Sequence, residues 1–416
     1  MHKPVLTIFY QFNPWQTSIG GIQTVIRSFV KYSPSEFEVR LVGTGDDNSQ
    51  PLGIWREAEL AGKAIRFMPL CNVPNDSTRK FVPTSVRYTT ALLRRNLASD
   101  FMHFHRLEPT LATLNWPGEK TLFVHNDIQK QIDSTANKNA ILWGRIPAAY
   151  LALERRLVGQ FAQILSCNTD SLQYYRQRYP KLGDRVSYIK NTVDTDIFYP
   201  LTLEQREQGR RILAQQMGLA EDTRFVLFAG RLHAQKDPVL LLESMAALNK
   251  PNAHLLIAGD GDLKDAIHSK IGALGLSKQV TMLGPVAQAE LAQLLRICSV
   301  FVLTSAYEGL PVVVLEALAC GTPVVTTRCG ETPNLLCAHS GVVCQERTPT
   351  TIAHALLQVL LNSGDYPIET CIQSAEPYSA RTVVGSVYRD MLSRWQQQNP
   401  LSNSQSSLKN FTEVAS

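Results

Sequence analysis

Residues 305–325 read S-A-Y-E-G-L-P-V-V-V-L-E-A-L-A-C-G-T-P-V-V, with Glu308 and Glu316 eight positions apart around a Gly-Leu-Pro helix opening. Pro311 suits the first turn of a helix, where its missing N–H would be an orphan in any case. Gly309 and Leu310 then present backbone amides at the positive end of the helix dipole. That is an anion site. Glu308 stands in the loop before it, and Glu316, on the helix, leans back toward the same end because helical side chains tilt toward the N-terminus. A carboxylate on each side of an anion-seeking helix end suits a diphosphate flanked by hydroxyls, which is the shape of a nucleotide sugar. An ordinary strand-loop-helix unit with one surface acid and one half-buried acid is the competing reading of this stretch taken alone.

Outward from it, both halves of the chain alternate short apolar runs with amphipathic stretches, the pattern of βαβ units and parallel sheets. Strands are expected at Val5–Tyr10, Val39–Val42, Met102–His105, Leu122–His125, Gln163–Cys167 and Val186–Ile189. In the second half they are expected at Phe225–Ala229, His254–Ala258, Val280–Leu283, Val300–Thr304 and Pro323–Thr326. At 416 residues the chain exceeds what one core usually supports, and two doubly wound domains are expected. Residues 1–195 form the first and 200–375 the second, joined through Tyr188–Pro200 and followed by a polar helix at Thr202–Met217. A helix with apolar residues at near-helical spacing spans 378–398, and the Ser-, Asn- and Gln-rich tail 399–416 is expected to be disordered.

Composition excludes several classes. With 44% hydrophobic and 19% charged residues the chain is globular, and no run approaches the roughly 18 apolar residues of a membrane span. Val5–Phe12 leads into Asn13-Pro14-Trp15 rather than a cleavage site, so a cytoplasmic location is expected, with the inner face of the membrane as a place of contact. The eight cysteines stand singly and read as reduced, buried thiols. Asn75-Asp76-Ser77 and Asn410-Phe411-Thr412 match the glycosylation pattern but read as chance matches without secretion. Residues 1–198 carry 24 Lys/Arg against 17 Asp/Glu, a balance of +7 in a chain of +5, so the first half is expected to meet something anionic. No nucleic acid is implied. Arg79, Lys80, Arg87, Arg94 and Arg95 hold part of the excess, and on a helix through Thr84–Leu97 Arg87 and Arg94 share a face, which reads either as solvated or as a rest for anionic headgroups.

Four further motifs carry chemistry. In F-A-G-R-L-H-A-Q-K-D, Gly230, Arg231 and Lys236 follow the end of an apolar strand, where ligands of parallel sheets collect, and both cations can contact phosphate oxygens. Leu255–Leu263 contains a D-x-D, Asp260 and Asp262, set in a Gly-Asp-Gly turn where Asp caps and Gly supplies positive φ, so it reads as a turn rather than a metal pair. Ile19-Gly20-Gly21-Ile22-Gln23 precedes a helix over Thr24–Val30, and its glycines let a substrate approach the backbone and the helix-terminal amides. It lacks the full G-x-G-x-x-G fingerprint, which argues against a nicotinamide enzyme. Phe123–Ile128 ends a strand with His125 and Asp127, and His105, two residues after His103 at the end of another, is a further candidate for lining the acceptor side.

The order of these motifs resembles that of retaining glycosyltransferases of the GT-B fold, specifically the large family four. The resemblance covers nearly the whole chain to about residue 398 and is densest over 225–326. It implies that Glu308 contacts the donor sugar hydroxyls, Glu316 the ribose hydroxyls, and Arg231 and Lys236 the diphosphate. It also implies that Val280–Val286, including Gly284 and Val286, faces the base, that the Gly20-Gly21 loop lies on the phosphates and that His125 lies near the sugar. The Gly-x-Gly turn around Asp260 holds no metal in that family, and no cofactor is implied. The final helix is expected to cross back to the first domain. Two departures stand out: Thr192 replaces a usual linker glycine, and Cys329-Gly330-Glu331-Thr332-Pro333-Asn334 replaces a segment that often shows two glycines and a later Glu, leaving Glu331 without an implied role.

The function implied is transfer, with retention and without metal, of a hexose-type sugar from a nucleoside diphosphate sugar to a saccharide or lipid-linked acceptor. A UDP-sugar is the first expectation and GDP-mannose the second. A nucleotide-sugar epimerase of the same architecture, or a non-catalytic sugar-nucleotide-binding subunit, are the alternatives.

Overall fold

The computed structural model describes residues 3–15, 21–46, 51–73, 83–125 and 147–400. Gly20, Arg79, Lys80, Asp127, both glycosylation patterns and the tail from 401 onward lie outside the described residues.

In the first half, β1 (Val5–Phe9), β2 (Glu38–Gly45), β3 (Arg56–Leu60), β4 (Lys63–Asn72), β5 (Phe101–Phe104), β6 (Glu119–Val124), β7 (Gln163–Ser166) and β8 (Val186–Tyr188) form one sheet in the order β3-β4-β2-β1-β5-β6-β7-β8. Its pairs are parallel except β3 with β4, an antiparallel hairpin at the edge. Ala61 and Gly62 close that hairpin with φ of 53° and 74°, the left-handed pair whose twist matches the strands it joins. Neither hairpin strand was expected. Arg56-Glu57-Ala58-Glu59-Leu60 is too polar to read as a strand, and edge position is what makes that polarity tolerable.

The second half contains β9 (Arg224–Ala229), β10 (Ala253–Ala258), β11 (Val280–Gly284), β12 (Val300–Leu303), β13 (Val324–Thr327) and β14 (Gly341–Cys344), ordered β11-β10-β9-β12-β13-β14 and parallel throughout. The winding reverses between β9 and β12 here, and between β1 and β5 in the first sheet. A crevice opens beyond the carboxyl ends of the strands at such a switch point. β14 also went unexpected. It is four residues long and opens on Gly341, where a Cβ would lie 2.1 Å from the Val324 carbonyl oxygen of its neighbour. Two doubly wound sheets are thus present, the fold class expected from the sequence.

One apolar core fills the second domain, centred on Phe225, Leu227, Leu256, Phe301 and Leu315. Two cores cover the faces of the first sheet. The helix Ala380–Gln398 completes one of them: Val384, Tyr388, Met391 and Trp395 pack with Phe29, Phe37 and Phe101, and the Tyr388 hydroxyl donates to the Phe29 carbonyl at 2.8 Å. The final helix thus crosses back to the first domain. The chain passes between domains at two adjacent places. Val193 and Ser379 form an isolated bridge, with Val193 N donating to Tyr378 O at 2.9 Å and Ala380 N to Val193 O at 2.8 Å.

Smaller boundaries differ. The helix expected over Thr84–Leu97 ends at Leu93; Arg87 donates to the Asn72 carbonyl while Arg94 is exposed at the helix end. All eight cysteines are free, and all but Cys337 are buried.

Candidate active site

On the second domain three strand ends build one wall of a cleft. After β9 comes Gly230, and after β10 come Gly259 and Gly261. A Cβ on Gly259 would sit 1.9 Å from the Gly230 carbonyl oxygen, and one on Gly261 2.5 Å from that of Leu232. Glycine is required because these two turns touch backbone to backbone. Within this contact Asp260 accepts the Gly261 N–H at 2.8 Å, and Asp262 lies 3.7 Å from the exposed Arg231 guanidinium. Asp260 thus serves the turn while lining the cleft, and Asp262 faces Arg231. Lys236, from the same loop, forms an ion pair with Glu308, whose Oε1 also accepts the Ser305 hydroxyl at 2.7 Å. The Thr304 hydroxyl donates to the Lys236 and Asp237 carbonyls at 2.9 Å, fixing the β12 end against that loop.

The helix opened by Gly309-Leu310-Pro311 spans Val312–Ala319, with Pro311 at the cap position rather than in the first turn. The ring still fits, because that residue is extended at φ −69° and ψ 120°. Among the described residues the Gly309 and Leu310 N–H groups meet no protein acceptor, as an anion site requires. Behind the helix, Arg206 is buried and donates to the Cys320, Gly321 and Cys298 carbonyls at 3.1, 2.7 and 3.3 Å. A cation at the helix C-terminus complements the dipole whose positive end faces the cleft. Glu316 is 5% exposed, and burial pushes its carboxyl up to about 8.

The facing wall comes from the first domain. Gly21 opens the helix Gly21–Lys31, and a Cβ there would lie 3.5 Å from the Val312 side chain, so two helix N-termini from different domains meet across the cleft. His125, at the end of β6, stacks on His105 with ring centroids 5.1 Å apart, and its Nε2 is 2.8 Å from His105 Nδ1. Burial pushes His125 down to about 4 and His105 well below its usual value, so both are neutral at pH 7. His105 Nε2 is buried with no partner among the described residues. A bare lone pair there costs less than an orphaned N–H, so the His105 proton belongs on Nδ1, donated to His125, and the His125 proton on Nδ1. His105 is thus a support behind His125 and does not line the cleft.

The cleft encloses about 440 Å³. Gly21, His125, Gly230, Arg231, Lys236, Val286, Glu308, Gly309, Leu310, Pro311 and Glu316 all line it, and Gly20 is outside the described residues. Gly284 does not line it: the cleft meets the neighbouring Pro285 and Val286, while the Gly284 carbonyl accepts the Gly259 N–H at 2.8 Å. Tyr10, Gln23, Asn191 and Gln288 line it without having been singled out. For Asn191 a signal existed, because it opens the linker; its amide donates to the Leu310 carbonyl at 2.7 Å. Among the described residues no group of three or more His, Cys, Asp or Glu side chains is arranged to hold a metal ion.

Comparison with known proteins places this arrangement. The family described as glycosyl transferases group 1 matches residues 209–375, and the family described as Glycosyltransferase Family 4 matches residues 19–197. The chain belongs to the group 1 and family 4 glycosyltransferases. This glycosyltransferase-family chain is 33% identical over 184 residues to an uncharacterized glycosyltransferase of Methanocaldococcus jannaschii, covering 44% of this chain and 46% of the relative. It is 28% identical over 255 residues to a D-inositol 3-phosphate glycosyltransferase of Corynebacterium glutamicum, covering 58% of this chain and 60% of the relative. It therefore spans about half the length of the curated relatives it matches. Among solved structures, the sucrose-phosphate synthase of Thermosynechococcus elongatus superposes with a TM-score of 0.75 at 16% identity, covering 94% of this chain and 100% of the other. HepE of Anabaena, solved with UDP and glucose, does so at 0.67 and 17%, with the same coverage. These likenesses give the fold, which is GT-B.

Proposed function

We propose that this protein transfers a hexose-type sugar from a nucleoside diphosphate sugar to a saccharide or lipid-linked acceptor, with retention of configuration. One observation carries the reading: two helix N-termini, one from each domain, converge on the cleft that also holds Arg231, Lys236, Glu308 and Glu316. Pro285 and Val286 offer a surface for the base, Glu316 reaches the ribose, and Glu308 reaches the sugar. UDP is the first choice of nucleotide, in keeping with the ligands named for HepE, and GDP-mannose the second donor.

The difficult event is departure of the nucleoside diphosphate from the anomeric carbon. Negative charge grows on the phosphate, and positive character grows on the sugar. Arg231, Lys236 and the amides of Gly309 and Leu310 stabilise the first without needing to reorganise. Glu308 is held by Lys236 and Ser305, which suits a hydroxyl acceptor better than a nucleophile. The reaction then runs on the front face: the acceptor oxygen bonds to the anomeric carbon as the bond to the phosphate breaks, and the acceptor proton passes to the leaving phosphate oxygen. Neutral His125, with N–H on Nδ1, orients the sugar.

The test is product analysis by proton NMR after incubation with UDP-glucose or GDP-mannose. Retention of the donor's anomeric configuration, or slow release of sugar and nucleoside diphosphate without acceptor, is expected. Arg231→Ala should slow turnover by about 100-fold, and a chelator should leave the rate unchanged. A converted nucleotide sugar would mark an epimerase, and no reaction with any nucleotide sugar would leave a binding subunit.

A further inference from the structure

The segment 329–334 departs from its family's pattern, and in the structure it is the strut between the donor loop and the other domain. Glu331 is 6% exposed. Its Oε1 accepts the Thr169 backbone N–H at 2.7 Å and the Thr169 hydroxyl at 2.5 Å, and its Oε2 accepts the Asn334 amide at 3.2 Å. Thr169 is the first residue of the helix Thr169–Arg178 of the first domain, so the carboxylate sits on that helix's positive end. On its own side, the Glu331 N–H donates to the Gly309 carbonyl at 2.9 Å. Gly330, at φ 55°, packs so closely that a Cβ would lie 2.0 Å from the Gly309 carbonyl oxygen and 2.6 Å from that of Glu308. The turn cannot shift without shifting the loop that carries Glu308 and Gly309.

We propose that Glu331 is a positioning residue that clasps the two domains shut over the cleft and sets the Glu308–Gly309 loop in register with the first domain. Charge-assisted contacts of this length are lost within a small opening movement, and water replaces them only in part. Closure and loop alignment are therefore one event, because the same residue is bonded to both. The kinetic part of this inference rests on the reading of the cleft as a donor site; the conformational part does not.

Glu331→Gln and Thr169→Val are the variants, with Thr169→Ser as the conservative control. Two measurements need no substrate. Amide hydrogen exchange at Thr169 should accelerate at least tenfold in Glu331→Gln, and small-angle X-ray scattering should report a more open molecule at unchanged melting temperature of the domains. With UDP-glucose as probe, donor hydrolysis should fall at least tenfold in kcat in Glu331→Gln and in Thr169→Val, with UDP affinity changed less than threefold. Thr169→Ser should retain the parent rate. The double variant should be no slower than the slower single one, since both remove the same clasp. Additive losses, or parental scattering and exchange in Glu331→Gln, would overturn the clasp. If the parent binds neither UDP nor UDP-glucose, the donor reading fails, and exchange and scattering still decide the clasp.

Discussion

Glu316 carries an unusual protonation state into its role. Buried on the cleft side of its helix and unpaired with any cation among the described residues, its carboxyl is raised to about 8, with burial as the cause. At pH 7 it is protonated in the free protein, whereas a pair of ribose hydroxyls is best held by the carboxylate. Donor binding should therefore release a proton below pH 8. Affinity for UDP should rise between pH 6 and 8 and level off above, and calorimetry at pH 7 in buffers of different ionisation heat should register the released proton. The sign for stability is opposite. Below the unfolded value of about 4.5 both states are protonated, while above it the unfolded chain ionises and the folded one holds its proton, so stability falls until about pH 8. Glu316→Gln should then raise the melting temperature at pH 8 while weakening UDP binding about tenfold or more, and should erase the pH dependence. An unchanged pH profile in that variant would contradict the assignment. That Glu308 and Glu316 share one cleft was legible in the sequence because both belong to one loop and the helix it opens. His105 behind His125, and Thr169 against Glu331, were not. The latter partners stand 162 positions apart, and no spacing rule spans that distance.

Among elements, the best-read were those with a clear apolar stretch. β9, β10, β12 and β13 are buried along nearly their whole length and each holds a run of apolar residues, the pattern of strands covered on both faces. β3 is polar, and β14 offers only Val342, Val343 and Cys344 behind a glycine that weakens a strand signal. The helix Leu203–Gln216 was legible in extent, since Thr202 and Gln205 form a capping box at its start. Its purpose was not. A polar helix suggests solvent on all sides, yet Arg206 is buried within a ring of acceptors at the far end of Val312–Ala319, including the Thr322 hydroxyl at 2.8 Å. The helix whose N-terminus faces the cleft is thus anchored at its C-terminus by a cation from a different element. Arg206→Met should cost about 3 kcal/mol of stability by urea denaturation, because those carbonyls lose charge-assisted donors. Lysine should not rescue it, since one ammonium cannot match a planar fork reaching several acceptors. A loss below about 0.5 kcal/mol would mean that water replaces the guanidinium at no cost.

At the level of the whole molecule, the two-domain plan was legible from length and from the repeated βαβ pattern, whereas the way the domains meet depended on contacts that no periodicity encodes. Among the described residues two stretches of chain join them, side by side at Val193 and Ser379, and Lys31 binds Asp194 and Asp196 of the linker at 2.7 and 3.0 Å. Further contacts between them are Asn191 with Leu310, Gly21 facing Val312, and Glu331 with Thr169. A ligand's effect on stability should then depend on which part of it is present. If Pro285, Val286 and Glu316 hold base and ribose as proposed, uridine should stabilise the second domain alone. If its phosphates draw on helix ends from both domains as proposed, UDP should stabilise the two together. In scanning calorimetry, UDP at about 100 times its dissociation constant should add about 2.7 kcal/mol and merge the unfolding of both domains into one transition, while uridine at matched occupancy should shift only the second-domain component. Equal shifts of both components by the two ligands would mean that the diphosphate is held by one domain alone, and the convergence of helix ends across the cleft would have no part in binding it.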